Sequence, residues 1–481
     1  MTRTSRRKAT VLALAACAVA AGCALAPQEA APQVPIPSAW ALDPGWRLAA
    51  PGDAAAKGEW WRLFEDPRLA DLETRAMQAD PGLAIARARL AQARAQARVT
   101  GASELPQVDA QALAQRLRSS ADRPLVDYSV PNVSTVQNDF ELGFTVHYEL
   151  DLWGAAAGAT RAAQDDAHQA EAQVQSAGLV LGAELAADYF NLCETDAEMA
   201  LLERRAEVQA RALEFLKQKH AAGATTMLDV DRQRTQWLAT VTQAQVLGEQ
   251  RARLEHALGS LVGIPAPEFH LPRSADLPPV PAVPLVLPSM LLERRPDVAG
   301  AERAVAAANE RIGVARAAGF PAVGLNAQAG WEANAIGPLF SAPSALWAIG
   351  AAVGQSLFDG GRRGARVDAA RAVHDETVAA YRQAALRAFA EAQDGLSSRA
   401  SLDRAAGLAR EGVDSARRAY DQTWRRYTGG VASQLDTLVA EDTLMNSERE
   451  ATQLRGRQLL TTVYLVKALG GRWNEEASPP P

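Results

Sequence analysis

The chain of 481 residues carries a net charge of −6, and aromatic residues make up only 6% of it. That balance excludes the basic surface expected of a nucleic-acid-binding protein. Two of its three cysteines lie within the first 23 residues, so Cys193 stands alone in the body of the chain and no intramolecular disulfide is expected there.

The chain opens with Arg3, Arg6, Arg7 and Lys8, then a short apolar run from Ala9 to Ala21. The run is too short to span a bilayer and reads as an export signal over residues 1–22. It ends in Ala20-Ala21-Gly22-Cys23, which resembles a bacterial lipobox, so Cys23 is the candidate lipidation site. Leu14-Ala15-Ala16-Cys17 is a rival, but it would leave an apolar core of only about seven residues. Cleavage without lipid attachment is the plainer alternative. Residues 23–65 begin as a tether rich in Pro, Ala and Gln. They lead through Trp60-Trp61-Arg62-Leu63-Phe64 to the Asp66-Pro67 turn.

From there the chain repeats itself, over 66–263 and again over 296–473. Each half predicts a helix, a β-hairpin, a long helix, a turn and a shorter returning helix. The first helix is expected from Pro67 to Ser103 with Pro81 inside it; its counterpart starts at Pro296. The hairpins are placed at 106–152 and 321–358. Phe140, Leu142, Phe144, Val146, Tyr148 and Leu150 alternate with polar or small residues, as do Val323, Leu325, Ala327, Ala329 and Trp331. The partner strands are read over Gln107–Gln115 and Ala345–Phe358. Such alternation fits a barrel wall in an outer membrane, or a soluble amphipathic sheet. Four strands cannot close a barrel, and an open edge in lipid is costly. Two copies would give eight strands and three would give twelve; the strand count does not choose between them.

The long arms run from Gly154 to Gly223 and from Gly361 to Gly430, each pair 69 positions apart with no proline between. Val174, Leu181, Leu185, Tyr189 and Leu192 form a stripe at helical spacing in the first arm; Val413, Tyr420, Trp424 and Tyr427 do so in the second. A helix of roughly 65 residues is far beyond ordinary globular lengths. Both arms end alike, in GATTMLD (Gly223 to Asp229) and GVASQLD (Gly430 to Asp436). Glycine at each reversal can adopt the positive φ that a tight helix ending needs. Cys193, inside the first arm, reads as a small packing residue. Between the repeats, residues 264–295 form a stiff Pro-rich linker, and 474–481 are a short tail.

These motifs together resemble the TolC-type outer-membrane factor family, in its NodT/OprM-like efflux lipoprotein branch. The resemblance rests on GCALAP at Gly22 to Pro27 and on the Trp60–Leu69 turn. It also rests on YELDLWG (Tyr148 to Gly154), SLFDGG (Ser356 to Gly361), the tip YTGGVASQLD (Tyr427 to Asp436), and the linker ending Leu287 to Val298. It implies a mixed, mostly α fold: a homotrimer whose 12-stranded outer-membrane β-barrel continues into a 12-helix periplasmic α-barrel. It further implies a passive exit duct for drugs or other small molecules, lipid-anchored through Cys23. The implied partners are outer-membrane lipid, a periplasmic adaptor and an inner-membrane pump of the RND type. The tip residues Gly223, Asp229, Gly430, Leu435, Asp436 and Val439 would mark the periplasmic gate. Asp436 matches a position whose carboxylate faces the narrowed pore, and Asp229 one that bonds between neighbouring hairpins. Where the family often has a second acid three residues after Asp436, this chain has Val439. The plainer reading of both aspartates is a solvated carboxylate at a helix start.

No phosphate-cradling loop, H-E-x-x-H or G-x-S-x-G motif occurs, and the six histidines lack metal-ligand spacing. No catalysis, metal or cofactor beyond the covalent lipid is expected. A type I secretion or metal-efflux channel would use the same architecture. A periplasmic adaptor would have one helical hairpin rather than two.

Overall fold

The computed structural model describes residues 59–118, 120–122, 135–274, 276–282 and 294–471. The export signal, Cys23, most of the tether, the linker signature up to Glu293 and the C-terminal tail lie outside them. The chain divides into two compact units. One is built from Leu90–Gln169 and Ala301–Ala380, the other from described residues of Gln33–Arg89, Ala170–Gly300 and Tyr381–Pro481.

The first unit contains one antiparallel sheet in the order β1 (Gln107–Arg118), β2 (Val136–Leu150), β3 (Ala322–Ala333), β4 (Ala345–Gly354). The two predicted hairpins are therefore joined, through β2 and β3, into a single four-stranded wall. The predicted alternation survives across all four strands. Ala110, Phe144, Ala329 and Trp347 form one cross-strand row, and Val108, Val146, Ala327 and Ile349 the next. This face is open: Phe144 is 55% exposed, Trp347 77% and Ile349 79%. Across β1–β3 the opposite face is mostly polar. Gln111 donates to Glu141 at 3.1 Å, Gln115 to Asp139 at 2.8 Å, and His147 Nδ1 lies 2.7 Å from Asn326 Oδ1. Strand β4 stops at Gly354, short of the predicted Phe358. Gly354 already faces Ala322, and Pro321 before it has no N–H with which to extend the ladder.

Leu150 leads through Trp153 into α3 (Ala155–Ala221). Trp153 stacks on Phe320 at 4.8 Å and donates to the Pro321 carbonyl at 2.7 Å, fixing the exit of one hairpin against the entry of the next. The start of α3 packs on α5 (Pro296–Ala317). Gly158 gives room to Val314, Arg161 pairs with Glu310 at 2.8 Å, and Arg311 pairs with Asp166.

The expected single helix at 67–103 is two, α1 (Pro67–Ala79) and α2 (Pro81–Gly101). The residue before a proline is pushed out of the helical region, and Asp80 sits at φ −63°, ψ 124°. Its carboxylate then accepts from Leu83 N at 2.6 Å, starting the next helix. The aromatic turn Trp60–Phe64 is buried. Phe64 meets Phe190 at 4.7 Å, and the cap residue Asp66 also accepts the Tyr189 hydroxyl at 2.7 Å. Leu181, Leu185, Tyr189 and Leu192 join this core, as the first stripe predicts, and so does Cys193. Burial pushes the Cys193 thiol up to about 12, so it packs as a small apolar residue.

The second arm, α6 (Arg362–Thr428), differs from its predicted stripe. Trp424 is 41% exposed, whereas Ala385, Ala388, Phe389, Ala392, Gly395 and Leu396 are buried. Small side chains let the helices approach closely, and a Cβ on Gly395 would stand 3.0 Å from Leu465. The returning helices are α4 (Met227–Leu261) and α7 (Gln434–Ala468). Two buried guanidiniums hold the elements together. Arg251 binds Asp196 at 2.7 Å, Glu255 at 2.8 Å and the Leu271 carbonyl at 2.7 Å. Arg295 binds Asp297, Glu391 and the Ala468 carbonyl. Among the described residues no helix is long and apolar enough to cross a membrane.

The seam between the hairpins is a glycine pair: Gly143 faces Gly330, and a Cβ on Gly330 would run into Leu142 O and Gly143 Cα. Gly330→Val should therefore split β2 from β3 at a cost of about 1–3 kcal/mol. Circular dichroism should show a lower melting temperature and reduced β-signal, whereas Gly350→Val, where the space is open, should show neither.

Candidate functional site: two helix reversals

Helix α3 ends at Ala221 and α6 at Thr428, and both close in the same way. Gly223 (φ 72°) donates to the His220 carbonyl and Ala224 to Lys219. Gly430 (φ 78°) donates to Tyr427 and Val431 to Arg426. This is the paired 5→2 and 6→1 pattern of a Schellman ending, which requires a left-handed residue and hence glycine.

Three residues separate each glycine from the next helix. Thr226 caps α4 and Ser433 caps α7, each with an aspartate three positions on that reaches back to the cap. Asp229 Oδ2 accepts from the Thr225 and Thr226 hydroxyls, both at 2.8 Å, and from Thr226 N at 3.3 Å. Asp436 Oδ2 accepts from Ser433 N and the Ser433 hydroxyl, both at 2.8 Å. The Thr226 and Thr225 hydroxyls hold the Asp229 carboxyl below the usual carboxylate range; the Ser433 amide and hydroxyl do the same for Asp436. Both are thus fixed anions at helix N-termini. Leu435 and Val439, one turn apart on α7, are 55% and 59% exposed. They form an apolar patch beside the Asp436 carboxylate.

The two reversals touch. Lys219 Nζ lies over the Phe215 ring at 4.8 Å and the Tyr427 ring at 5.3 Å. Gln434 Nε2 donates to Gln233 Oε1 at 3.2 Å, linking the starts of α7 and α4. Phe215, Trp424, Gln233 and Gln434 line a cavity of 320 Å³ between them. Sequence reading singled out the glycines and aspartates but missed Lys219, Gln233 and Gln434. Their one local signal is a cation in the last turn of α3, where the helix dipole favours it.

Equal arms that each rise from a strand hairpin and reverse at a capped glycine define a duplicated protein of the channel-tunnel type. The profile of the Outer membrane efflux protein family matches residues 72–263 and 287–471, one match to each repeat. The chain belongs to that family. It is 31% identical over 466 residues to the pyoverdine export outer membrane protein OpmQ of Pseudomonas aeruginosa, covering 96% of this chain and 97% of OpmQ. It is likewise 31% identical over 475 residues to the antibiotic efflux pump outer membrane protein ArpC of Pseudomonas putida, covering 97% and 96%. The solved outer-membrane channel OprN superposes with a TM-score of 0.84 at 27% identity, over 94% of this chain and 100% of OprN. This protein is an outer-membrane channel of an efflux system.

A depressed carboxyl pKa stabilises its cap above the ordinary value of 3.8 and ceases to do so as pH falls through the lower folded value. The amides of the first turns of α4 and α7 should exchange hydrogen slowly at neutral pH. They should lose that protection only below the ordinary carboxyl range. Ser433→Ala should speed exchange in the first turn of α7 roughly fivefold at neutral pH. Unchanged exchange would show that the cap does not hold this turn.

Proposed function

We propose that three copies of the chain assemble into a passive exit duct, and that the two reversals form its periplasmic gate. The observation that carries this reading is the open four-stranded sheet. Among the described residues its outer strands, β1 and β4, each have one edge without a partner strand, and one face is apolar and exposed. In lipid, each unpaired backbone group costs several kcal/mol, so the edges must pair with other copies. Three copies supply twelve strands, in keeping with the family resemblance. Each copy also brings two helical hairpins for the surrounding tunnel.

On this reading the duct has no catalysis of its own and needs no metal or cofactor. It takes energy from an inner-membrane pump of the RND type through a periplasmic adaptor, and it is anchored by lipid at Cys23. Its cargo is drugs or other small molecules, since the similar proteins OpmQ and ArpC serve pyoverdine export and an antibiotic efflux pump. Three Asp436 carboxylates around one axis would favour cations and repel anions. Leu435 and Val439 supply an apolar collar, and Asp229 steadies the closed reversal.

Single-channel recording tests the gate. Asp436→Ala should lower cation selectivity, shifting the reversal potential towards zero in a salt gradient; an unchanged potential would leave Asp436 as a cap alone. Asp229→Ala in cells should raise sensitivity to large antibiotics, and an unaltered profile would remove it from the gate.

A further inference from the structure

Helix α3 belongs to the first repeat and α7 to the second, and a single seam joins them. Leu192 and Cys193 share a core with Leu459 and Val463 at one end of it. Further along, Met199 and Leu202 share a smaller core with Met445. Arg205 comes next. Its Nη1 reaches the Glu441 carbonyl at 3.4 Å, and its Nε and Nη2 pair at 3.6 Å with carboxylate oxygens of Glu441 and Asp442. Between the two apolar stretches, α3 turns a pair of carboxyls towards α7, Glu194 and Glu198, one helical turn apart.

Glu198 is partnered. It is only 5% exposed, its Oε1 accepts from Gln453 Nε2 at 2.7 Å, and its Oε2 stands 3.4 Å from Arg449 Nε. Glu194 is half-buried, and among the described residues it makes no hydrogen bond or ion pair. Its Oε2 occupies the place that a Cβ on Gly456 would take, so a gap in the side chains of α7 receives the carboxyl. The charges that face it are Glu198 on its own helix and, from α7, the exposed Arg457 and the Arg449 already held by Glu198. Asp196 turns instead to α4, where Arg251 binds it. Burial pushes the Glu194 carboxyl from its ordinary 4.5 up to about 7; Glu198 adds to the rise and Arg457 opposes it. The fold therefore holds this proton more tightly than the unfolded chain does. The penalty for ionising Glu194 is absent below 4.5, grows as pH rises and is complete above about 7.

We propose that Glu194 is a proton-operated wedge between the repeats: with its proton it fills the Gly456 notch and lets α7 close on α3, and without it the carboxylate forces that seam apart. Two observations meet in this device. The notch is shaped to the carboxyl and offers it no donor, so the neutral form packs there at little cost and the charged form is left without compensation. The second carboxylate lies four residues away, where like charges on one helix repel. Because the seam separates the repeats, loosening it frees the second helical hairpin to shift against the first. That last consequence rests on the gate reading of the two reversals; the wedge itself needs no pore.

Hydrogen exchange of the full chain in detergent, corrected for the intrinsic pH dependence of amide exchange, reads the seam directly. In the wild-type protein the amides of α7 around Gly456 should lose protection about fivefold between about pH 6 and pH 8. Glu194→Gln keeps the shape and removes the titration, so its protection should stay constant over that range. Equal loosening in Glu194→Gln, or none in the wild-type protein, would overturn the proposal. If circular dichroism shows that Glu194→Gln does not fold, Arg457→Gln decides. It removes the opposing cation at an exposed position and should move the loss of protection to higher pH, and an unmoved transition would equally overturn the wedge. Failure to conduct in planar bilayers would count against the exit-duct reading alone and would leave these exchange rates as predicted.

Discussion

Backbone hydrogen bonding at the rim of the sheet governs this protein. Three ladders join β1 to β2, β2 to β3 and β3 to β4, and no described residue pairs the outer sides of β1 and β4. The same sheet exposes an apolar face carrying Phe144, Trp347, Ile349 and Val353. An apolar face calls for lipid, and lipid forbids a bare edge. The two demands meet when the wall closes with other copies. Joining the hairpins through a glycine pair keeps β2 and β3 close enough for the wall to be continuous.

The helices solve a different problem. Two 67-residue helices with few large apolar residues cannot rely on a thick core. Close packing of alanine and glycine supplies part of the contact. Polar ties supply register: Arg251 and Arg295 each bind three partners, and Arg399 joins Asp403, Thr462 and the Pro281 carbonyl. Buried ion pairs of this kind contribute modestly to net stability, but they penalise wrong alignments, because a displaced guanidinium would be left without partners.

Much of the fold was legible because it is local and periodic. Alternation in Phe140–Leu150 and Val323–Trp331 placed two strands, and the glycines at 223 and 430 placed both reversals. Capping by Thr226 and Ser433 follows from their place three residues before Asp229 and Asp436. The errors came where context decides. Asp80 breaks a helix that periodicity alone would carry through Pro81. The Val413, Tyr420, Trp424 and Tyr427 stripe has helical spacing, yet Trp424 stays partly open while alanines form the buried seam. Arg205 and Glu441 are 236 positions apart, and a contact at that separation leaves no mark on either local pattern. The roles of Asp229 and Asp436 as caps can be read from one chain, whereas any role in a pore depends on how copies are arranged about an axis.

The most direct test of the account is the mass of the assembled protein. Native mass spectrometry of the mature chain released from detergent should give three copies, and in a variant carrying one cysteine on the β1 edge and one on the β4 edge, β1–β4 disulfide cross-links should form only between different copies. A stable single copy, or edge cross-links confined to one chain, would contradict a wall closed by assembly.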